Sequence, residues 1–176
     1  MAKYGAQGTF EWVQHIGGAG YDVVRDGVVD AAGDLYTTGY FAGPVTFGNL
    51  TLPSFGLSDG YLAKYSPQGT IHWVQPGGNT GLYDVSLDAA GNPYVVGGFT
   101  RKAQFGSVTL ISAGGSDVVV AAYTAQGQVR WVQQAGGSGS EEGYHLGLDA
   151  RGDIYVLGKF SGSCAFSLFS VGATSA

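Results

Sequence analysis

Apolar and polar positions alternate with a period of two at several places along the chain, each time beside a glycine turn, as a half-buried strand requires. Phe10-x-Trp12, Ile71-x-Trp73 and Val129-x-Trp131 are three such places. Short apolar runs flank a second kind of turn. Gly27-Val28-Val29 and Leu35-Tyr36-Thr37 enclose Asp30-Ala31-Ala32-Gly33-Asp34, and Val85-Ser86-Leu87 and Tyr94-Val95-Val96 enclose Asp88-Ala89-Ala90-Gly91-Asn92. Glycine supplies the positive φ that such a turn needs, and the Asp side chain accepts hydrogen bonds from the turn's N–H groups. Each flanking pair therefore predicts a β-hairpin. The turns at Gln7-Gly8, Gln68-Gly69 and Gln126-Gly127 predict a second one, in which Gly60-Tyr61-Leu62-Ala63-Lys64-Tyr65 pairs with Thr70-Ile71-His72-Trp73-Val74-Gln75.

These hairpins repeat. Tyr-x-x-Gln-Gly begins at Tyr4, Tyr65 and Tyr123, and Trp-Val-Gln at Trp12, Trp73 and Trp131. Glycine pairs at Gly17, Gly77 and Gly136 come next, then the Asp turns at Asp30, Asp88 and Asp149, and a tyrosine six residues later at Tyr36, Tyr94 and Tyr155. Gly-x-Phe at Gly39, Gly97 and Gly158 and a phenylalanine at Phe47, Phe105 and Phe166 close each copy. The fixed order defines three repeats, approximately 1–61, 62–119 and 120–176, within a single module spanning 1–176.

Two hairpins per repeat give four strands: a before the Asp turn, b after it, c ending at Tyr-x-x-Gln-Gly, and d carrying Trp-Val-Gln. The Phe-Gly segments are expected to be longer connections. Tandem four-stranded units predict an all-β fold, a β-propeller with about three four-stranded blades per chain. Stacked blades bury both sheet faces, which accounts for runs such as Val118-Val119-Val120-Ala121-Ala122. The strand order reads c-d, a-b-c-d, a-b-c-d, a-b, so one blade is split between the termini. Three blades are too few to close a ring. Two copies joined head to tail would give a closed six-bladed homodimer, with a piece of a longer propeller or a trimeric nine-bladed ring as alternatives.

The motifs Asp-Ala-Ala-Gly-Asn-x-Tyr-Val-Val-Gly, Phe-Gly, Ser-Asp-x-x-x-Ala-x-Tyr, Gln-Gly and Trp-Val-Gln-x-x-Gly-Gly resemble bacterial propeller repeats of the SBBP type. The resemblance covers nearly the whole chain. It implies a propeller fold and a setting in large bacterial surface or secreted proteins, and it assigns no activity. The last copy departs from the pattern, with Phe166-Ser167 in place of Phe-Gly.

Composition narrows the function classes. The 176 residues carry a net charge of −5, with eight Lys and Arg side chains scattered along the chain. Binding to nucleic acid or to an anionic membrane needs clustered cations, so neither partner is expected. Cys164 is the only cysteine, which rules out an intrachain disulfide and a thiolate metal site, and it reads as a small buried hydrophobe. No apolar run approaches the ~20 residues of a membrane span, and Met1-Ala2-Lys3-Tyr4 lacks the apolar core of a signal peptide. A soluble chain without a cofactor is expected.

Candidate chemistry is sparse. Strand a should line the channel, and the position four residues before the Asp turn holds Asp26, Asp84 and His145. Oxygen and nitrogen ligands at equivalent positions could bind a ligand or a divalent cation at the channel mouth; solvated side chains, or side chains bonding the next blade, are the plainer reading. Asp30, Asp88 and Asp149 read as turn formers, as do Asp59 and Asp117 at the start of strand c. Trp12, Trp73 and Trp131, with Tyr36, Tyr94 and Tyr155, could stack on sugar rings, but their alternation places them in packing between blades. No nucleophile motif, metalloprotease motif or P-loop is present, and recurrence itself argues against a catalytic centre, which is normally unique. The expectation is a non-enzymatic scaffold or interaction module with a second copy of itself as partner and a glycan or protein as possible ligand. The alternatives are a carbohydrate-binding propeller lectin and, third, a hydrolase with a channel metal.

Overall fold

A computed structural model describes residues 1–166 and 169–172. The described residues form strands and turns without a helix, so no helix long and apolar enough to cross a membrane occurs among them. In chain order the strands are β1 (Ala2–Tyr4), β2 (Phe10–Val13), β3 (Ile16–Gly18), β4 (Asp22–Val29), β5 (Leu35–Phe41), β6 (Val45–Phe47), β7 (Leu50–Leu52) and β8 (Asp59–Tyr65). Then come β9 (Ile71–Leu87), β10 (Pro93–Phe105), β11 (Val108–Tyr123), β12 (Val129–Gly137), β13 (Glu142–Leu148), β14 (Ile154–Lys159), β15 (Ser163–Phe166) and β16 (Phe169–Gly172).

The hairpins form where the turn chemistry places them. Gly33, Gly91 and Gly152 lie at φ +85°, +76° and +86°. In each Asp turn the Oδ1 of Asp30, Asp88 or Asp149 accepts two backbone N–H bonds at 2.9–3.0 Å, from the residues two and four positions on. The Gln-Gly turns likewise hold Gly8, Gly69 and Gly127 at positive φ. The resulting ladders are antiparallel and give two four-stranded units. The first is β4-β5-β8 with the first half of β9; the second is the rest of β9 with β10, β11 and β12. A c-d hairpin, β1-β2, lies at the N-terminal end, and an a-b hairpin, β13-β14, near the C-terminal end.

β10 shows how both faces of a unit become apolar. Successive side chains of a strand point to opposite sides. Val95 enters a cluster with Tyr36 and Leu62 of the first unit and Leu82, Val85 and Val119 of the second. Its neighbours Tyr94 and Val96 enter another with Val118, Ala122 and Leu146 of β13. The outer face of the first unit packs Phe41, Val45, Phe47, Tyr61 and Tyr65 against Met1 and Ile16. Full burial of a side chain of Leu or Phe size stabilises by about 1.5–3 kcal/mol, so this interlayer packing is the main source of stability.

The Phe-Gly segments differ from expectation: they are hairpins, not plain connections. Gly48 and Gly106 take φ +59° and +57°, letting Phe47 pair with Leu50 and Phe105 with Val108 across two-residue turns. Each hairpin also reaches the preceding unit. β6 pairs with β3 just past the Trp12 strand, Gln104 with Gly78, and β15 with the end of β12. Phe47 and Phe105 are fully buried there. The side chain of Phe166 and Ser167, the third copy of this landmark, lie outside the described residues. Cys164 is buried beside the same junction.

Candidate functional site

All three a strands carry the same irregularity. In β4 the ladder steps from Val24 to Asp26, in β9 from Leu82 to Asp84, and in β13 from Gly143 to His145. Arg25, Tyr83 and Tyr144 are therefore bulge residues, and a bulge re-aims its side chain and bends the strand. The facing strand must come close. A Cβ on Gly39, Gly97 or Gly158 would overlap the carbonyl oxygen of Val23, Gly81 or Glu142. The Gly-x-Phe landmark thus exists because the bulge leaves no room opposite it.

The residues after the bulges are the Asp26, Asp84 and His145 set, and the fold brings them together. Asp26 Oδ2 accepts the Val85 N–H at 3.1 Å, and Asp84 Oδ2 accepts the Leu146 N–H at 2.6 Å. Each carboxylate thus ties one a strand to the next. Asp84 also shares a hydrogen bond with Asp26, and His145 Nδ1 lies 3.8 Å from Asp84 Oδ2. Burial raises the affinity of both carboxyls for a proton. For Asp84 the bond with Asp26 adds to this, and its pKa stands above the ordinary carboxylate value. For Asp26 the bonds from Asp84 and from the Val85 and Gly27 N–H groups outweigh burial and hold it below that value. Both carboxylates are engaged by backbone donors, and among the described residues no group of three His, Cys, Asp or Glu side chains is arranged to hold a metal ion.

Trp12 and Trp73 lie on turns. Trp12 Nε1 donates to Pro67 O at 2.9 Å, with its ring against Gly69, and the Trp73 ring covers Gly127 in the same way. Tyr36 meets Trp73 edge-on, and Tyr94 meets Trp131, both at 6.0 Å between ring centroids. Tyr36 and Tyr94 are 0% and 8% exposed, whereas Tyr155, which has no c strand beside it among the described residues, is 56% exposed. Lys64 sits 4.7 Å over the Tyr36 ring, with Asp34 at 3.0 Å and Asp30 at 3.6 Å.

Asp59 and Asp117 are fully buried at the start of strand c. Asp59 accepts from Ser54 Oγ and from the N–H groups of Phe55, Gly56 and Asn79; Asp117 accepts from Ala113 N–H and Gln134 Nε2. Both close loops.

The sequence reading missed an aromatic row. Tyr21, Tyr40, Tyr83 and Tyr144 follow one another at 6.2–6.4 Å between ring centroids. The Arg25 guanidinium stands 5.2 Å from the Tyr40 centroid and 5.5 Å from that of Tyr83, and donates to Tyr40 Oη at 3.1 Å. Lys159 approaches Tyr144 at 5.8 Å. Tyr83 and Tyr144 lie one residue before Asp84 and His145, a repeat offset that the Arg at position 25 concealed.

No family model matches the chain. It is 28% identical over 181 residues to an uncharacterized WD repeat-containing protein of Acanthamoeba polyphaga mimivirus, an alignment that covers 86% of this chain and 13% of that protein. The chain thus spans only a small part of the relative's length. Helix-free stacked sheets and likeness to a WD-repeat protein agree on one architecture, an all-β, propeller-like repeat fold.

Proposed function

We propose that this chain is a non-catalytic interaction scaffold, a single propeller module of three repeats whose split blade is completed by a second copy of the chain. The observation that carries this reading is the contrast between whole and split units. Tyr65 is 2% exposed and its counterpart Tyr4 is 62% exposed, and Tyr155 stands in the same relation to Tyr36. Phe10, Val13, Val156 and Leu157 are exposed as well. Among the described residues the outer edges of β1 and β14 have no paired strand, and an unpaired edge beside apolar side chains is a template for strand addition.

The repeat supplies the register. Leu35 pairs with Tyr65, Tyr36 with Lys64 and Thr37 with Ala63, and Tyr94 with Ala122 follows the same rule. At the seam Ile154 then pairs with the second copy's Tyr4, Tyr155 with its Lys3, and Val156 with its Ala2. Lys3 would take the place of Lys64, over Tyr155 and between Asp149 and Asp153. Trp12 would stand against Tyr155 as Trp73 stands against Tyr36. Twofold symmetry forms this seam twice and closes a ring of six blades. Likeness to a WD-repeat protein supports a scaffold, because stacked blades present loops on both rims while their carboxylates hold the backbone. The SBBP resemblance is compatible with the same reading.

Light scattering on the eluting peak tests it. Twice the 18.1 kDa chain mass is expected, and a monomer at micromolar concentration overturns it.

A further inference from the structure

The eight basic side chains are not distributed as isolated surface charges. Lys3 pairs with Glu11, Lys64 with Asp30 and Asp34, Arg130 with Asp88, Arg151 with Asp149 and Asp153, and Lys159 with Glu142. Among the described residues Arg25, Arg101 and Lys102 have no carboxylate partner. Arg101 and Lys102 line a cleft of about 1040 Å³, and Arg25 stacks on Tyr40 and Tyr83, which line the same cleft. In a chain of net charge −5, two adjacent unpaired cations on the wall of one concavity favour an anionic occupant.

The rest of the lining narrows the class. Ser58, Asn79, Ser116 and Ser140 present hydroxyl and amide groups, while Tyr40 and Tyr83 offer rings. Glu142, the carboxylate of the lining, is neutralised by Lys159 at 3.5 Å. The non-glycine residues with left-handed backbone among the described ones, Asn79 at φ +57° and Arg101 at φ +61°, both line this cleft. Such a conformation is uncommon for arginine and gathers at functional sites. Rings for stacking, hydroxyls and amides for a polyol, and cations for a carboxylate together describe an acidic sugar. The volume, about 1040 Å³, stands at the upper end of the roughly 300–1,000 Å³ of small-molecule pockets and leaves room for a short oligomer.

We propose that the cleft between the first and second units binds an acidic saccharide, with pyranose rings against Tyr40 and Tyr83 and a uronate carboxylate held by Arg101 and Lys102. The site differs from the repeated tryptophans and from Asp26, Asp84 and His145. It does not rest on completion of the split blade, because its residues belong to one chain.

Calorimetric titration of the whole chain with tetragalacturonate tests the proposal, with the neutral galactose tetramer and tetraglutamate as controls. Tetragalacturonate is expected to bind at least tenfold more tightly than either control, and more weakly as salt rises. Arg101 and Lys102 are exposed, so the double variant Arg101→Asn/Lys102→Ser should keep the wild-type melting temperature and lose at least tenfold in affinity. Tyr83→Leu should lose as much for the same ligand. Failure of tetragalacturonate to bind, equal binding of the neutral tetramer, unchanged affinity in the double variant, or tighter binding of tetraglutamate (an acidic peptide ligand) would each overturn it. Oligomeric state decides the scaffold reading separately.

Discussion

Trp12 lies across the turn of Gly69: a Cβ on that glycine would stand 2.8 Å from Trp12 Cδ2, and the indole N–H is bonded to Pro67 O two residues earlier. The strand of one layer thus reads the turn of the next, 55 residues further along the chain. Gly69 also holds φ +82°. Gly69→Ala should therefore lose about 1–3 kcal/mol through left-handed strain and displacement of the indole, measured by urea unfolding.

Opposite the bulges the penalty is larger. Gly97→Ala places a methyl on the Gly81 carbonyl, where both partners are backbone, so a loss of about 3 kcal/mol is expected. Gly147 has open space around its Cβ position and no left-handed φ. Gly147→Ala should change stability by less than about 0.5 kcal/mol, and the pair of variants separates crowding from a general cost of removing glycine.

Much of the fold was legible because its turns are chemically explicit. Asp30, Asp88 and Asp149 announce their hairpins through the glycine three residues on, and the repeat fixes strand order. The Phe47-Gly48 hairpin carried a signal too, Val-Thr-Phe and Leu-Thr-Leu around a glycine, but it is short and its partner β3 lies in the preceding unit, beyond any local pattern. The bulges were invisible for another reason: an extra residue shifts the ladder by one while the flanking sequence stays regular. Tyr83 and Tyr144 thus went unnoticed, and the cleft, assembled from loops distant in sequence, could not be foreseen from spacing.

Buried Asp59 accepts bonds from three N–H groups and a hydroxyl. Asp59→Ala removes the acceptor and leaves Phe55 and Asn79 donors without a partner, an expected loss of about 3 kcal/mol. Asp59→Asn keeps one carbonyl oxygen and should lose less, a ranking that thermal melts of both variants check.

Stability should depend on pH through the Asp26–Asp84 pair. The folded pKa of Asp84 is raised, so its contribution is present below the unfolded carboxylate value and is lost as pH rises through the folded value. Asp26 is lowered, so its contribution is present above the unfolded value and is lost as pH falls through the folded one. Asp84→Asn mimics the protonated partner, and its amide can still donate to Asp26. That variant should lose less stability than wild type as pH rises above the ordinary carboxylate range, whereas Asp26→Asn should lose stability at neutral pH. Melting temperature against pH distinguishes them.

Charge at the proposed seam is open to a swap experiment. Lys3→Glu should weaken self-association about tenfold by facing Asp149 and Asp153, and adding Asp153→Lys should restore much of it. Sedimentation equilibrium of the single and double variants measures the coupling.

β9 runs unbroken from Ile71 to Leu87, serving as the outer strand of one unit and the inner strand of the next. Neither unit can lose that strand without stripping its neighbour, so the two should exchange their slowest amide protons at a common rate and with a common free energy of opening. The β13-β14 hairpin shares no strand with them and should exchange faster. Cooperativity along this chain is therefore written into the backbone at one strand, and damage to β9 would reach two repeats rather than one.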